Sequence, residues 1–128
     1  MDSTFRPLKP EERALIDRLL EPRFQGRDEL RLQLRSVSAK LIRVDGTLGL
    51  QCGPGRPAPT KYRVAMAATY ADADGVDICV MLHVGKSGFM HMLEIIKYDA
   101  SPIINPPTAS SLVMIDPARG EDAAAATV

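Results

Sequence analysis

Between residues 61 and 98 apolar side chains recur at every second position, the period of a sheet strand with one face buried. Val76, Ile78, Val80, Leu82 and Val84 alternate with Asp77, Cys79, Met81 and His83. Val64, Met66, Ala68 and Tyr70 do the same before them, and Phe89, His91, Leu93 and Ile95 after them. The pattern predicts three antiparallel strands joined by two short loops. Opposed residues share a face, so the first hairpin requires an even sum of residue numbers, as with Tyr70 opposite Val76 and a loop over residues 71–75. A two-residue Asp74-Gly75 turn would set core positions against solvent positions. The second hairpin requires an odd sum, which places Val84 opposite Phe89, with residues 85–88 as the loop. It also sets Met81 opposite Met92, His83 opposite Met90, and His91 beside Leu82 on the core face.

The other face of these strands is less polar than water would favour, because it carries methionines with Cys79 close by. It needs a cover, either a helix of the same chain or a partner, and flexible methionines suit partner surfaces. Upstream, Pro10 with Glu11 and Glu12 opens a helix whose apolar stripe is Leu15, Ile16, Leu19 and Leu20, and Pro22 stops it. A second helix is expected from about residue 26, with Leu30, Leu34 and Val37 inward; the alternation of Leu30, Leu32 and Leu34 leaves a strand open there. Arginines 23, 27, 31 and 35 form a basic stripe, read as a solvated face. Residues 40–52 read as a hairpin around Asp45-Gly46 with Leu48, Leu50 and Cys52 inward. The proline-rich stretch 53–60 is a surface loop. Residues 112–115 form a further short strand, and residues 116–128 a flexible tail. The fold class expected is α+β: two N-terminal helices packed on a five- or six-stranded, mainly antiparallel meander sheet, in one domain over 1–128 with an ordered core at 6–115.

Sixteen basic and sixteen acidic residues leave no net charge, so no direct nucleic-acid binding is indicated. The charge is uneven along the chain, however. Residues 36–66 carry five basic and one acidic side chain, and residues 67–128 three basic and eight acidic, a shift from +4 to −5. No uncharged run reaches the roughly 18 residues of a membrane span, so a soluble, cytoplasmic chain without membrane association is expected. Cys52 and Cys79 have neither zinc spacing nor a disulfide framework around them and read as reduced and buried.

The motifs that resemble chemistry fail on their contexts. Gly53-Pro54-Gly55 lacks the helix that a dinucleotide fingerprint needs, and Gly85-Lys86-Ser87 has Val80 where a phosphate loop requires glycine. The ADADGVD loop would place Tyr70 and Met81 at calcium-ligand positions, which neither can fill. His83 and His91 face opposite ways in the register above. A one-residue slip would bring them together, the one route to a metal site or an acid–base pair. Neither cysteine has an identifiable base, so no catalytic residue, cofactor site or metal site is assigned.

Four stretches together, RPLKPEERALIDRLL, the Asp-Gly hairpin with alternating leucines, ATYADADGVDICVMLHV and LEIIKYDASPI, resemble a family of small bacterial proteins of unknown function over about residues 6–104. Lys9, where a capping Thr or Ser is usual, and Ile96-Lys97, where an aromatic is common, depart from its pattern. Small α+β proteins of this kind are similar to the immunity proteins of contact-dependent inhibition and polymorphic toxin systems. That likeness implies a non-enzymatic protein that binds and neutralises a cognate toxin domain, a nuclease, by covering its basic active site. The expected partner-binding residues are Asp72, Asp74, Asp77, Glu94 and Asp99, with Met81, Met90 and Met92 as apolar anchors. Two other readings stay open: a small-ligand binder or enzyme using His83 and Cys79 on the second sheet face, and a homodimer formed through the methionines.

Overall fold

A computed structural model describes residues 4–60 and 63–115. It is an α+β fold, in which the described residues form an open, antiparallel sheet of seven strands and two short helices. In chain order these are β1 (Arg6–Pro7), α1 (Pro10–Leu19), α2 (Arg27–Gln33), β2 (Val37–Leu41), β3 (Leu48–Cys52), β4 (Val64–Ala71), β5 (Asp77–Val84), β6 (Met90–Lys97) and β7 (Val113–Ile115). The tail expected at 116–128, and Lys61 and Tyr62 ahead of β4, lie outside the described residues.

The sheet order is β1-β2-β3-β6-β5-β4-β7, which corrects the expected five- or six-stranded meander. Two three-stranded halves, β1-β2-β3 and the meander β4-β5-β6, meet where β3 pairs with β6; both helices lie in the chain between β1 and β2, and β7 adds to the far edge of β4. The unforeseen strand is β1, only two residues long and held from outside itself. Arg6 makes a two-pronged bond to Glu12 at 2.8 and 2.9 Å, and Glu12 also accepts the Lys9 amide at 2.8 Å. One carboxylate thereby ties the sheet edge to the first turn of α1 and serves the helix end that Lys9 cannot cap. Burial alone would raise the Glu12 carboxyl, but Arg6 and the Lys9 amide hold it below its ordinary value.

Helix α1 buries Leu15, Ile16 and Leu19, as the stripe predicts, and Leu20 follows them into the core. The next segment is helical rather than extended, with Leu32 exposed between buried Leu30 and Leu34. Val37 is not helical; it opens β2, because a 3₁₀ turn over Leu34–Ser36 ends the helix first. The buried side chains of both helices join one cluster with Ala39, Leu48, Leu50, Met66, Ile78, Val80, Leu82, Leu93 and Ile95, so both helices cover the same sheet face.

Met66, Ala68 and Tyr70 of β4 and Ile78, Val80, Leu82 and Val84 of β5 face inward as the alternation gives, in a different register. Tyr70 pairs with Ile78 rather than Val76, and the five-residue loop runs over residues 72–76. The sum stays even from Met66 to Tyr70, so no side chain there changes face. A bulge between Val64 and Met66 then sets Val64 against His83 on the second face and buries Ala65 in the core, which corrects the inward place expected for Val64. The second hairpin does change. Leu82 pairs with Leu93, His83 with Met92 and Met81 with Glu94, and a bulge then sets Val84 against Met90. The extra residue flips the start of β6: Met90 is buried in the core and His91 is exposed, the reverse of the expected arrangement.

Candidate protein-binding face

The second face of the sheet is built from alternate residues of five strands. Gly49 of β3, Met92, Glu94 and Ile96 of β6, Cys79, Met81 and His83 of β5, Ala67 and Thr69 of β4, and Val113 and Ile115 of β7 follow from the pairings. Ala67 and Cys79 are small and lie low, 8 and 9 % exposed, while the taller Met81, Met92 and Ile96 around them are half-buried. Val113 at one edge is 66 % exposed and Tyr98, just past β6, is 63 % exposed. Of the two covers expected, a helix of the chain or a partner, no described helix serves, since both described helices pack on the other face. At the β2–β3 side Phe5 and Ile42 lie over Gly49, and the Lys40 ammonium stands 5.0 Å from the Phe5 ring centre.

A polar strip crosses this apolar field. His83 Nε2 lies 2.9 Å from Glu94 Oε1, and Arg43 Nη2 donates to the other Glu94 oxygen at 3.3 Å. Arg43 belongs to the β2–β3 loop and also donates to Thr47 and to the Ile95 carbonyl, so it bridges that loop to β6. The bulge that exposes His91 sets its ring 6.1 Å from that of His83, edge to face. The two histidines therefore do meet on one side of the sheet, through a bulge rather than a slipped turn. Among the described residues no three His, Cys, Asp or Glu side chains are placed to hold a metal ion together, these two and Glu94 included. Burial pushes the Cys79 and Cys52 thiols up, which leaves both as poor nucleophiles.

The eight expected contact residues divide. Asp77, Met81, Met92 and Glu94 stand on the second face, and Asp99 is exposed in the turn after β6, where Ser101 donates to it at 2.6 Å. That hydroxyl, with the Ser101 amide, holds the Asp99 carboxyl below its ordinary value. Met90 is withdrawn, because it is 1 % exposed in the core. Asp72 is withdrawn as well: its carboxylate is enclosed and accepts from the Lys97 ammonium at 2.8 Å and from the amides of Ala73, Ile104 and Asn105. Burial would raise it, yet these four donors hold it far below the carboxylate range, and it is a structural anion. Asp74 shares the same ammonium at 2.7 Å from a part-exposed position. The Tyr70 hydroxyl closes this knot by donating to the Asn105 carbonyl at 2.7 Å.

Lys97 is the residue that sequence reasoning missed. It continues the inward series Leu93, Ile95, and its side chain is 2 % exposed. An inward lysine must be paired, and the acidic loop one hairpin away was the available partner. That was the signal.

A family model for a domain of unknown function, DUF6984, matches residues 5–107. No curated protein and no solved structure matches the chain.

Proposed function

The chain belongs to the DUF6984 family, and from that premise we propose that it is a protein-binding module whose second sheet face covers a basic partner, a toxin nuclease domain that it neutralises. The observation that carries this reading is the open face itself. Apolar and small side chains fill its middle, Asp77 and Glu94 stand within it, and no described helix lies across it. Seven strands at the usual spacing span about 29 Å, and the eight-residue strands about 26 Å. Such an extent suits the roughly 800 Å² that one partner contributes to a stable complex. The carboxylates favour a basic occupant. Asp74, Asp77 and Asp99 gather at the end where β5 begins and β6 finishes, so they would steer a phosphate-binding surface toward this side of the molecule.

The test is capture from the source organism's lysate by the wild type and by a Met81→Arg/Met92→Arg variant, followed by reconstitution with the purified partner. Support requires a stoichiometric partner with nuclease activity that the wild type inhibits and the variant does not, with affinity at least about 30-fold weaker, as for a central anchor. Equal binding by the variant would remove the face from the interface. Mass measured at several concentrations reports whether a second copy occupies the face instead.

The His83–Glu94 pair favours a second reading, an acid–base or ligand site on the same face. A small-molecule melting shift present in the wild type and lost in His83→Ala would favour it over a protein partner.

A further inference from the structure

The two ends of the long strands carry opposite charge. At the end away from Asp74, Asp77 and Asp99, where β4 begins and β5 finishes, stand exposed Arg35, Arg56, Arg63 and Lys86. Arg63 and Lys86 line a cavity of about 310 Å³ together with Ala58, Thr60, Gly85 and Gly88, and none of its described lining residues is acidic. Neither cation forms an ion pair with any described residue. The geometry points to a binding site for a small, doubly charged oxyanion of the phosphate class, free or as a phosphomonoester.

Three observations support this beyond the charge. The walls are fixed without a ligand: the Gly88 carbonyl accepts the Ala58 amide at 2.7 Å and the Gln33 amide at 2.9 Å, and the Val84 amide donates to the Arg63 carbonyl at 2.7 Å. Such preorganisation lowers the ordering cost of binding. Loop 53–60 presses onto the β5–β6 turn so closely that a Cβ at Gly88 would lie 2.8 Å from Pro57. The cavity therefore persists as a shape. Its volume sits at the small end of ligand sites, which suits a phosphate group with a short substituent rather than a polymer. Two guanidinium or ammonium donors match the charge of a phosphate dianion. This is a different device from a phosphate loop, because no helix follows the turn and side-chain cations supply the charge.

The experiment uses the full chain, ¹⁵N-labelled, titrated with inorganic phosphate and with phenyl phosphate against sodium chloride at matched ionic strength. Saturable amide shifts confined to Thr60, Arg63, Gly85, Lys86 and Gly88 are expected. Arg63→Gln and Lys86→Gln should each weaken binding about tenfold or more, as loss of a charge-assisted bond does. Lys40→Gln, the same change of charge beside Phe5, should leave it within about twofold. Tighter binding of phenyl phosphate than of inorganic phosphate assigns the site to phosphomonoesters, and the opposite order to the free anion. Absence of saturation up to about 50 mM phosphate, against sodium chloride at the same ionic strength, overturns the proposal. Equal shifts with chloride, or equal weakening by Lys40→Gln, also overturn it.

Discussion

Replacing Gln33 with methionine tests the joint that holds the basic end of the molecule together. The Gln33 side chain is 3 % exposed and bonds three separate backbone segments. Its Nε2 donates to the Arg56 carbonyl at 3.0 Å and the Gly88 carbonyl at 2.9 Å, and its Oε1 accepts the Met90 amide at 3.0 Å. Methionine keeps the length and removes all three, together with the longer bond that the Cys52 thiol donates to Oε1 at 3.6 Å. The Met90 amide is the costly loss, since it is buried beside the bulge and left without an acceptor, at about 1–3 kcal/mol. Gly88 keeps the Ala58 amide and Arg56 stands at the surface, so each of those losses costs only the net value of a bond, about 0.5–1.5 kcal/mol. The thioether gains something from burial, which brings the total near 3 kcal/mol. For a chain of this length that is a fall of about 11 °C in melting temperature. Thermal and urea unfolding followed by far-ultraviolet circular dichroism measure it, with Leu32→Gln on the exposed side of α2 as a control expected within about 0.5 kcal/mol. A Gln33→Met fall below about 3 °C, roughly 1 kcal/mol, would refute the claim that this amide joins the three segments.

Gly88→Ala and Gly75→Ala should separate backbone strain from crowding. Both glycines have positive φ, +85° and +82°, but an added Cβ meets Pro57 and Ala58 within 3.0 Å at Gly88 and nothing within 4 Å at Gly75. Gly75→Ala should cost about 1 kcal/mol and Gly88→Ala about 1–3 kcal/mol more, so equal urea midpoints would contradict the packing of loop 53–60. Burial, then the Asp72 charge, push the Tyr70 phenol up to about 12, above its ordinary 10. The folded state therefore keeps a proton that the unfolded state releases; this contribution is full below pH 10 and is lost as pH rises from 10 through 12. Tyr70→Phe should flatten part of the fall in urea midpoint over that range, leaving the part due to Lys97, whose raised value makes its contribution fade as pH climbs through it. An unchanged slope in Tyr70→Phe would refute the assignment.

Much of the fold was legible because its signals are local. Alternation assigned the inward residues of β4 from Met66 and of β5 from Ile78 correctly, since face membership depends only on parity and survives a register shift of two, whereas the bulge that turns Val64 out left no local mark. Pro10, the paired glutamates and the leucine stripe placed α1 for equally local reasons. What escaped depends on contacts distant in sequence. Strand β1 has no strand pattern of its own and exists because β2 offers an edge and Glu12 holds Arg6. The β3–β6 pairing joins segments some 45 residues apart, and nothing in either marks the other. The candidate face was legible as a methionine-rich side of the sheet, but its acidic border was overcounted. Asp72 and Asp74 look alike in the sequence, and only the inward Lys97 makes one a core anion and the other its part-exposed neighbour.

The bulge between β5 and β6 connects the misplaced residues to the site. Unbroken alternation from Ile95 back to Phe89 would have put His91 among leucines, where an imidazole needs a partner that the core lacks. Met90 is the better occupant by any transfer scale, and one extra residue exchanges the two. The exchange has three consequences at once. It fills the core with a thioether, gives Gln33 a backbone amide to accept, and moves His91 to the side where His83 and Glu94 already stand. A break in alternation where a more apolar residue adjoins a basic one at a strand end is thus itself a bulge signal. In this chain the same local irregularity shapes the polar strip of the open face and fixes the turn that walls the basic cavity.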